Sequence, residues 1–132
     1  MNKLFSLRLN PEQDLKNEIQ NFCVQNNILA GCVLSAVGSL EFVKLRLAGS
    51  QVLFESGETF EVVSVTGTVS KNGCHLHISV ANSKGQVTGG HLMDGNRIYT
   101  TCEIVILSMA DLEFKRELDP ATGFNELKIS IL

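Results

Sequence analysis

The sequence of 132 residues contains no tryptophan, one tyrosine, two prolines and only three histidines. It also lacks an excess of basic residues, since 11 lysines and arginines stand against 14 acidic residues and the net charge is −3. This balance argues against a protein whose affinity depends on neutralising many phosphates of a nucleic acid. No low-complexity tract is present, and a content of 44% hydrophobic and 19% charged residues is typical of a globular protein.

Long apolar runs are missing as well. No run approaches the ~18–20 residues needed to cross a bilayer, and Met1–Leu9 lacks the apolar region of a secretory signal. The four cysteines are widely spaced without a Cys-x-x-Cys pair, which predicts reduced core residues. We therefore expect a cytoplasmic protein with no membrane association, folded as a single domain over residues 1–132.

One helix is predicted near the N-terminus, after an alternating strand over Lys3–Leu9. Asn10 has the character of an N-cap, Pro11 suits the first helical position, and Gln13 stands at the capping-box position. The helix should run to about Asn26, and its apolar stripe should pack on a sheet. That stripe consists of Leu15, Ile19, Phe22 and Cys23.

The rest of the chain is rich in strand signals. Ile28–Val37 is almost continuously apolar or small, which predicts a central strand covered on both faces, broken at Gly38. Lys44 and Arg46 alternate along the next strand and are interpreted as its solvated face. The turn Lys71-Asn72-Gly73 predicts a hairpin. The expected fold is α+β, with a mixed, mainly antiparallel β-sheet of about six to eight strands and one main N-terminal helix packed on it.

All three histidines fall within one hairpin-sized window, from Gly73 to His91. In a strand, His75 and His77 share one face with Cα atoms roughly 6.5–7 Å apart, and the following turn can bring His91 back towards them. Two glycines before His91 would permit a close backbone approach. This pattern predicts a three-histidine metal site with a fourth position free for water or substrate. The alternative is that alternating histidines decorate a half-buried strand and His91 is a turn residue.

Two further charged residues are candidates for the surroundings of such a site. Glu103 lies in an otherwise apolar strand, where it could accept a hydrogen bond from a ligand histidine or act as a general base. A salt bridge to Arg97 or Arg116 would explain it equally well. Arg116 could itself face an anionic ligand of the metal, or take part in an ion-paired loop with Asp119.

Several short motifs, taken in their order and spacing, resemble the plant and prokaryote conserved (PPC) domain. They are Phe60–Thr68, His75-Leu76-His77-Ile78-Ser79, Gly85, Gly89-Gly90-His91-Leu92 and Thr101–Ile106. The resemblance implies a β-sheet core that assembles as a homotrimer, and it implies that His75, His77 and His91 belong to the stand-alone prokaryotic form, where a metal site is plausible. Zinc is the expected metal.

The resemblance leaves two functional hypotheses of different classes. One is a homotrimer whose metal site, near a pocket at the subunit interface, binds or converts a small molecule. The other is a DNA-binding or transcription-related interaction module, because the plant members carry an AT-hook, an Arg-Gly-Arg segment that enters the minor groove. This sequence contains no Arg-Gly-Arg, so DNA binding is doubtful here. A third interpretation is an oligomerisation domain with unmetallated surface histidines.

Overall fold

The computed structural model describes residues 1–49 and 51–132, and within them the chain forms one helix and nine strands. The helix, α1, comprises Leu15–Gln25. The strands are β1 Lys3–Leu9, β2 Gly31–Arg46, β3 Leu53–Ser56, β4 Phe60–Ser70, β5 Gly73–Ala81, β6 Val87–Leu92, β7 Arg97–Ser108, β8 Leu112–Leu118 and β9 Asn125–Ile131. The predicted α+β class with a single helix on a mainly antiparallel sheet is confirmed.

Seven of the strands form one sheet in the order β1-β7-β2-β4-β5-β6, with β3 paired to β2. The far end of β2 also pairs with β6, through Leu45 opposite Leu92 and Arg46 opposite His91, so that β2, β4, β5 and β6 close on themselves. β1 and β2 run parallel, as the strand-helix-strand order predicts, but β7 lies between them. Every ladder in the described part of the chain is therefore antiparallel, and the expectation of a mixed sheet was wrong in that respect.

The helix begins later than predicted, because its N-cap is Asp14 and not Asn10. The Asp14 side chain accepts a hydrogen bond from the backbone N–H of Asn17. The segment before it is held by the start of β7, where Ile98 exchanges backbone hydrogen bonds with Glu12 and Gln13. The Gln13 side chain does accept a hydrogen bond from the N–H of Asn10, as in a capping box. The residues between them, however, form a separate turn and not the first turn of the helix. Tertiary pairing of the backbone thus displaced the local helix signal.

The predicted break at Gly38 is also absent, since β2 continues unbroken from Gly31 to Arg46. A Cβ atom at Gly38 would lie only 2.1 Å from the carbonyl oxygen of Thr101, so glycine serves here to let β7 approach closely. The strand is central, as expected, but it is not covered on both faces. Leu34 and Val37 are exposed on the side of the sheet opposite the helix.

The core lies between α1 and the inner face of the sheet. Leu15, Ile19 and Cys23 of the helix are fully buried, which matches the predicted stripe except that Phe22 is only partly buried. Asn96 is buried too, and its side chain accepts from the N–H of Lys44 and donates to two backbone carbonyls. The turn before β7 is thereby fixed to β2.

The strands β8 and β9 form a separate hairpin that is attached to the main sheet through Phe114. The N–H of Phe114 donates to the carbonyl of Leu29, while its own carbonyl accepts from the side chains of Ser70 and Asn72. Asn72 belongs to the predicted hairpin turn between β4 and β5. The attachment brings the C-terminal hairpin over the strand that carries two of the histidines.

All four cysteines are free; Cys23 and Cys102 are buried, while Cys32 and Cys74 are half-buried. No helix in the described part of the chain combines the length and the apolar character required to cross a membrane.

Candidate metal centre

The strand β5 presents its residues alternately to the core and to the outer face of the sheet. Leu76 and Ile78 are buried, whereas His75 and His77 are exposed. His91 lies on β6 directly opposite His77, so it belongs to a strand and not to a turn. The ring centroids are 5.0 Å apart for His75 and His77, 5.3 Å for His75 and His91, and 5.7 Å for His77 and His91. The three imidazoles therefore form one compact cluster.

The two glycines before His91 have the role that the sequence predicted for them. A Cβ atom at Gly89 would lie 2.5 Å from the carbonyl oxygen of Ile78, and one at Gly90 would lie 2.7 Å from that of Arg46. The strand β6 can fit between β5 and the end of β2 only because neither residue has a side chain. This fit places His91 beside both of the other histidines.

The geometry of the cluster is compatible with a bound metal ion. Each histidine offers one ligand nitrogen, and these atoms all lie within 4.8 Å of one another. Zn–N bonds of about 2.0–2.1 Å require ligand nitrogens roughly 3–4 Å apart, a gap that small side-chain rotations close. Within residues 1–49 and 51–132, no hydrogen bond to another group occupies the imidazole nitrogens. The donor set is neutral imidazole, which suits zinc and several other transition metals.

The surroundings lower the pKa of two of the three histidines, His75 and His91. Burial and the nearby positive charge of Arg46 lower the pKa of His91 to about 4. Burial, together with the charges of His77 and Arg116, also lowers the pKa of His75. Because a metal ion competes with protons for the same lone pair, a lowered pKa favours metal binding at neutral pH.

A cavity of about 370 Å³ opens beside the cluster, between β5, β6 and the C-terminal hairpin. Its wall is formed by Arg46, Gly73, Cys74, His75, His91, Arg116, Phe124, Asn125 and Glu126. Arg46 is the cross-strand partner of His91. Arg116 reaches over from β8 and donates from Nη2 to the Thr68 hydroxyl oxygen at 3.0 Å, and Thr68 is the cross-strand partner of His75. Two guanidinium groups thus flank the three imidazoles.

The family model of the Plants and Prokaryotes Conserved (PCC) domain matches residues 1–110. The chain belongs to this PCC domain family. The predicted family membership is therefore confirmed, although the match ends before the hairpin of β8 and β9.

Curated relatives of this PCC domain are longer proteins. The chain is 45% identical over 127 residues to the bifunctional protein GlmU of Synechococcus sp. (strain JA-3-3Ab), which corresponds to 96% of this chain. This chain spans about a fifth (20%) of the length of that relative.

Solved structures that resemble this PCC domain cover it almost completely. A hypothetical protein from Salmonella has a TM-score of 0.95 and 37% identity, over 99% of this chain and 95% of the other. A metal-containing protein from Archaeoglobus fulgidus has a TM-score of 0.84 and 29% identity, over 96% and 93%. A candidate DNA-binding protein from Bacteroides thetaiotaomicron has a TM-score of 0.84, over 95% and 91%, but at 22% identity it shows the fold alone.

The sequence also offered Arg116 and Glu103 as residues around the metal site, and only one of them lies near the histidines. Arg116 lines the cavity beside His75 and His91. Glu103 does not join them. It lies exposed on β7, opposite Arg8 of β1, and lines a different cavity on the sheet. Neither predicted salt bridge of Glu103 forms, because Arg97 pairs with Glu41 and Arg116 contacts Thr68.

Sequence reasoning missed Arg46, which it assigned to a solvated face together with Lys44. Lys44 does lie near a surface partner, Glu55, at 3.6 Å. Arg46 differs because the end of β2 pairs with β6, which turns it towards His91. Lys44 and Arg46 are two residues apart and point to the same side of the strand. The sequence alone therefore does not distinguish the solvated residue from the one beside His91.

Proposed function

We propose that this PCC domain binds a divalent metal ion, with zinc as the best-suited metal, through His75, His77 and His91. The site would bind or convert a small molecule in the adjoining cavity. The observation that carries the proposal is the convergence of all three histidines of the chain, from two strands, onto one cluster. A structural relative at 29% identity is a metal-containing protein, which agrees with a metal in this fold.

Three protein ligands leave part of the coordination sphere of a tetrahedral metal open, as in catalytic sites and unlike closed structural ones. When bound, the ion would act as a Lewis acid towards an oxygen of the ligand. The residues of the chain would do the rest: the imidazoles hold the ion, and Arg46 and Arg116 give the adjoining cavity a positive wall. A volume of about 370 Å³ is at the small end of the range for ligand sites.

The direct test is the metal content per chain of protein purified without a histidine tag. We expect near-stoichiometric zinc in the wild type, or after reconstitution, and its loss in the double variant His75→Ala/His91→Ala. Ser79→Ala is the matched control, because Ser79 follows His77 on the same face of β5 without belonging to the cluster. Native protein that takes up no metal on reconstitution, or a double variant that keeps its metal, would refute the site.

We also propose that residues 1–132 act as one domain, that the chain assembles as a homotrimer and that it is a cytoplasmic protein. The docking of the C-terminal hairpin through Phe114 supports the first point. Exposed apolar side chains on the outer face of the sheet support assembly. Four free cysteines agree with a reducing compartment.

DNA binding or a transcription-related interaction is the second candidate, and the structural relatives from Bacteroides thetaiotaomicron and Ralstonia eutropha, both described as candidate DNA-binding proteins, favour it. The net charge of −3 speaks against it. Salt-sensitive binding to random duplex DNA, measured by fluorescence anisotropy at physiological ionic strength, would support this second candidate over the first.

A further inference from the structure

We propose that the cavity beside the three histidines takes a small organic carboxylate, whose carboxylate group binds between Arg46 and Arg116. This inference names the class of ligand for the proposed metal site and so rests in part on that function. The arginines themselves are independent of the metal, which makes the two ideas separable by experiment.

Among residues 1–49 and 51–132, neither of the two guanidinium groups has an acidic partner. Four ion pairs occur within residues 1–49 and 51–132, namely Lys44–Glu55, Arg97–Glu41, Lys115–Glu113 and Lys128–Glu117. Neither Arg46 nor Arg116 belongs to them, although both are half-buried. Two partly desolvated positive charges beside one small cavity are costly without a counter-charge, and a bound anion would supply that counter-charge.

Arg116 is also held in position. Its Nη2 donates to the Thr68 hydroxyl, and its Cγ lies 3.5 Å from where a Cβ of Gly73 would stand. The backbone anchors of Phe114, two residues earlier, fix the strand that carries Arg116. An arginine that is restrained in this way loses little entropy on binding, and its planar fork matches a carboxylate.

The rest of the cavity wall suits an organic acid better than an inorganic dianion. Glu126 contributes a negative charge to the same wall, so the side chains other than histidine carry a net charge of about +1, which a single carboxylate balances. Phe124 supplies an aromatic surface that a carbon skeleton can contact. A polar group on the carbon next to the carboxylate would then lie towards His75 and His91.

The experiment is an NMR titration of ¹⁵N-labelled protein, in zinc-loaded and metal-free form, observed at the arginine Nε–H signals. The probes are glycolate, ethylene glycol as its neutral analogue, and inorganic phosphate. We expect saturable shifts of the Arg46 and Arg116 signals with glycolate and none with ethylene glycol. Arg46→Gln and Arg116→Gln should each weaken glycolate binding by roughly tenfold to a hundredfold, the range for a hydrogen bond to a charged group.

The controls separate the possible failures. Arg97→Gln removes an arginine that is paired with Glu41 and does not line the cavity, and should leave glycolate binding unchanged. Arg116→Lys keeps the charge without the fork and should bind glycolate with intermediate affinity, which also answers any doubt about the folding of the glutamine variant.

Zinc uptake without glycolate binding would overturn this inference and spare the metal site. Arginine-dependent glycolate binding by a protein that takes up no zinc would support this inference and refute the metal site. Ethylene glycol binding as well as glycolate, or phosphate binding more tightly, would overturn the proposed ligand class.

Discussion

At the scale of single residues, His91 links the proposed site to the pH dependence of stability. Its pKa is about 4 in the folded protein and 6.5 as the ordinary value. Between these values the unfolded chain binds more protons than the folded chain, so folding stability falls as the pH drops from about 6.5 towards 4. The stabilising contribution is fully present above pH 6.5.

We therefore expect metal-free wild-type protein to lose stability between pH 7 and pH 5, and His91→Gln to lose less. Urea unfolding at both pH values, in the presence of a chelator, measures the two differences. A glutamine variant with the same pH dependence as the wild type would show that His91 does not carry the effect. The metal-loaded protein should be the more resistant to acid, since a bound ion excludes the proton.

The cysteines provide a second prediction at this scale. Burial raises the pKa of the Cys102 thiol to about 11, and its side chain has no exposed surface. Cys74 is half-buried at the edge of the cavity, and a hydrogen bond from the Cys23 thiol lowers its pKa. We expect iodoacetamide at pH 8 to modify Cys74 much faster than Cys102 or Cys23, because the thiolate is the reactive species. Peptide mapping by mass spectrometry gives the rates, and equal labelling of Cys74 and Cys102 would contradict the assignment.

At the scale of elements, Gly67 shows how β4 fixes the position of the first histidine. Its φ is +149°, and a Cβ atom there would lie 1.9 Å from the carbonyl oxygen of His75. A side chain at this position must push β5 away or change the backbone of β4.

The substitution Gly67→Ala should lower the free energy of unfolding by about 2 kcal/mol or more and weaken zinc binding, because His75 shifts with its strand. Gly57→Ala is the control, since nothing lies within 4 Å of a Cβ at that position. Denaturant unfolding and a zinc titration measure the two effects. If Gly67→Ala behaved like Gly57→Ala, the close approach of the two strands would not constrain the site.

Much at the element scale could be predicted from the sequence, and the exceptions share one physical cause. The β4–β5 hairpin, the outward face of His75 and His77, and the buried face of α1 follow from local periodicity and turn chemistry. The start of the helix, the continuity of β2 through Gly38 and the role of Arg46 do not. Each of these depends on a strand that is distant in sequence: β7 for the first two and β6 for the third. Local propensity carries no information about such partners.

At the scale of the whole molecule, the cavity depends on two parts of the chain that sequence motifs do not connect. The histidines lie within the 110 residues that match the PCC family, whereas Arg116, Phe124 and Glu126 belong to the hairpin beyond them. The relative from Salmonella covers 99% of this chain, so the fold it shares includes the hairpin. Members of the family that lack a comparable hairpin would lack the second arginine and should bind carboxylates less tightly.

The outer face of the sheet, on the side opposite the helix, is the surface through which we expect the chain to assemble. Four apolar or aromatic side chains on the neighbouring strands β7, β2 and β4 remain exposed in the single chain: Leu34, Val37, Val63 and Tyr99. Exposed apolar side chains on a sheet face mark an interaction surface, and identical chains assembling in closed symmetry are the commonest way to cover such a face. The proposed homotrimer would bury this face.

We expect light scattering after gel filtration to give three times the chain mass of 14.4 kDa for the wild type. Val37→Lys should shift the protein to a smaller species, because the charged side chain and its cross-strand neighbour Glu103 would both have to be desolvated in the interface. Val24→Lys is a matched control, since Val24 on the helix has the same exposed fraction of 55% as Val37 but lies on the opposite side of the sheet. A wild type that runs as a monomer, or a trimer that Val37→Lys leaves intact, would mean that this face is covered in another way, and the metal site would then have to function within a single chain.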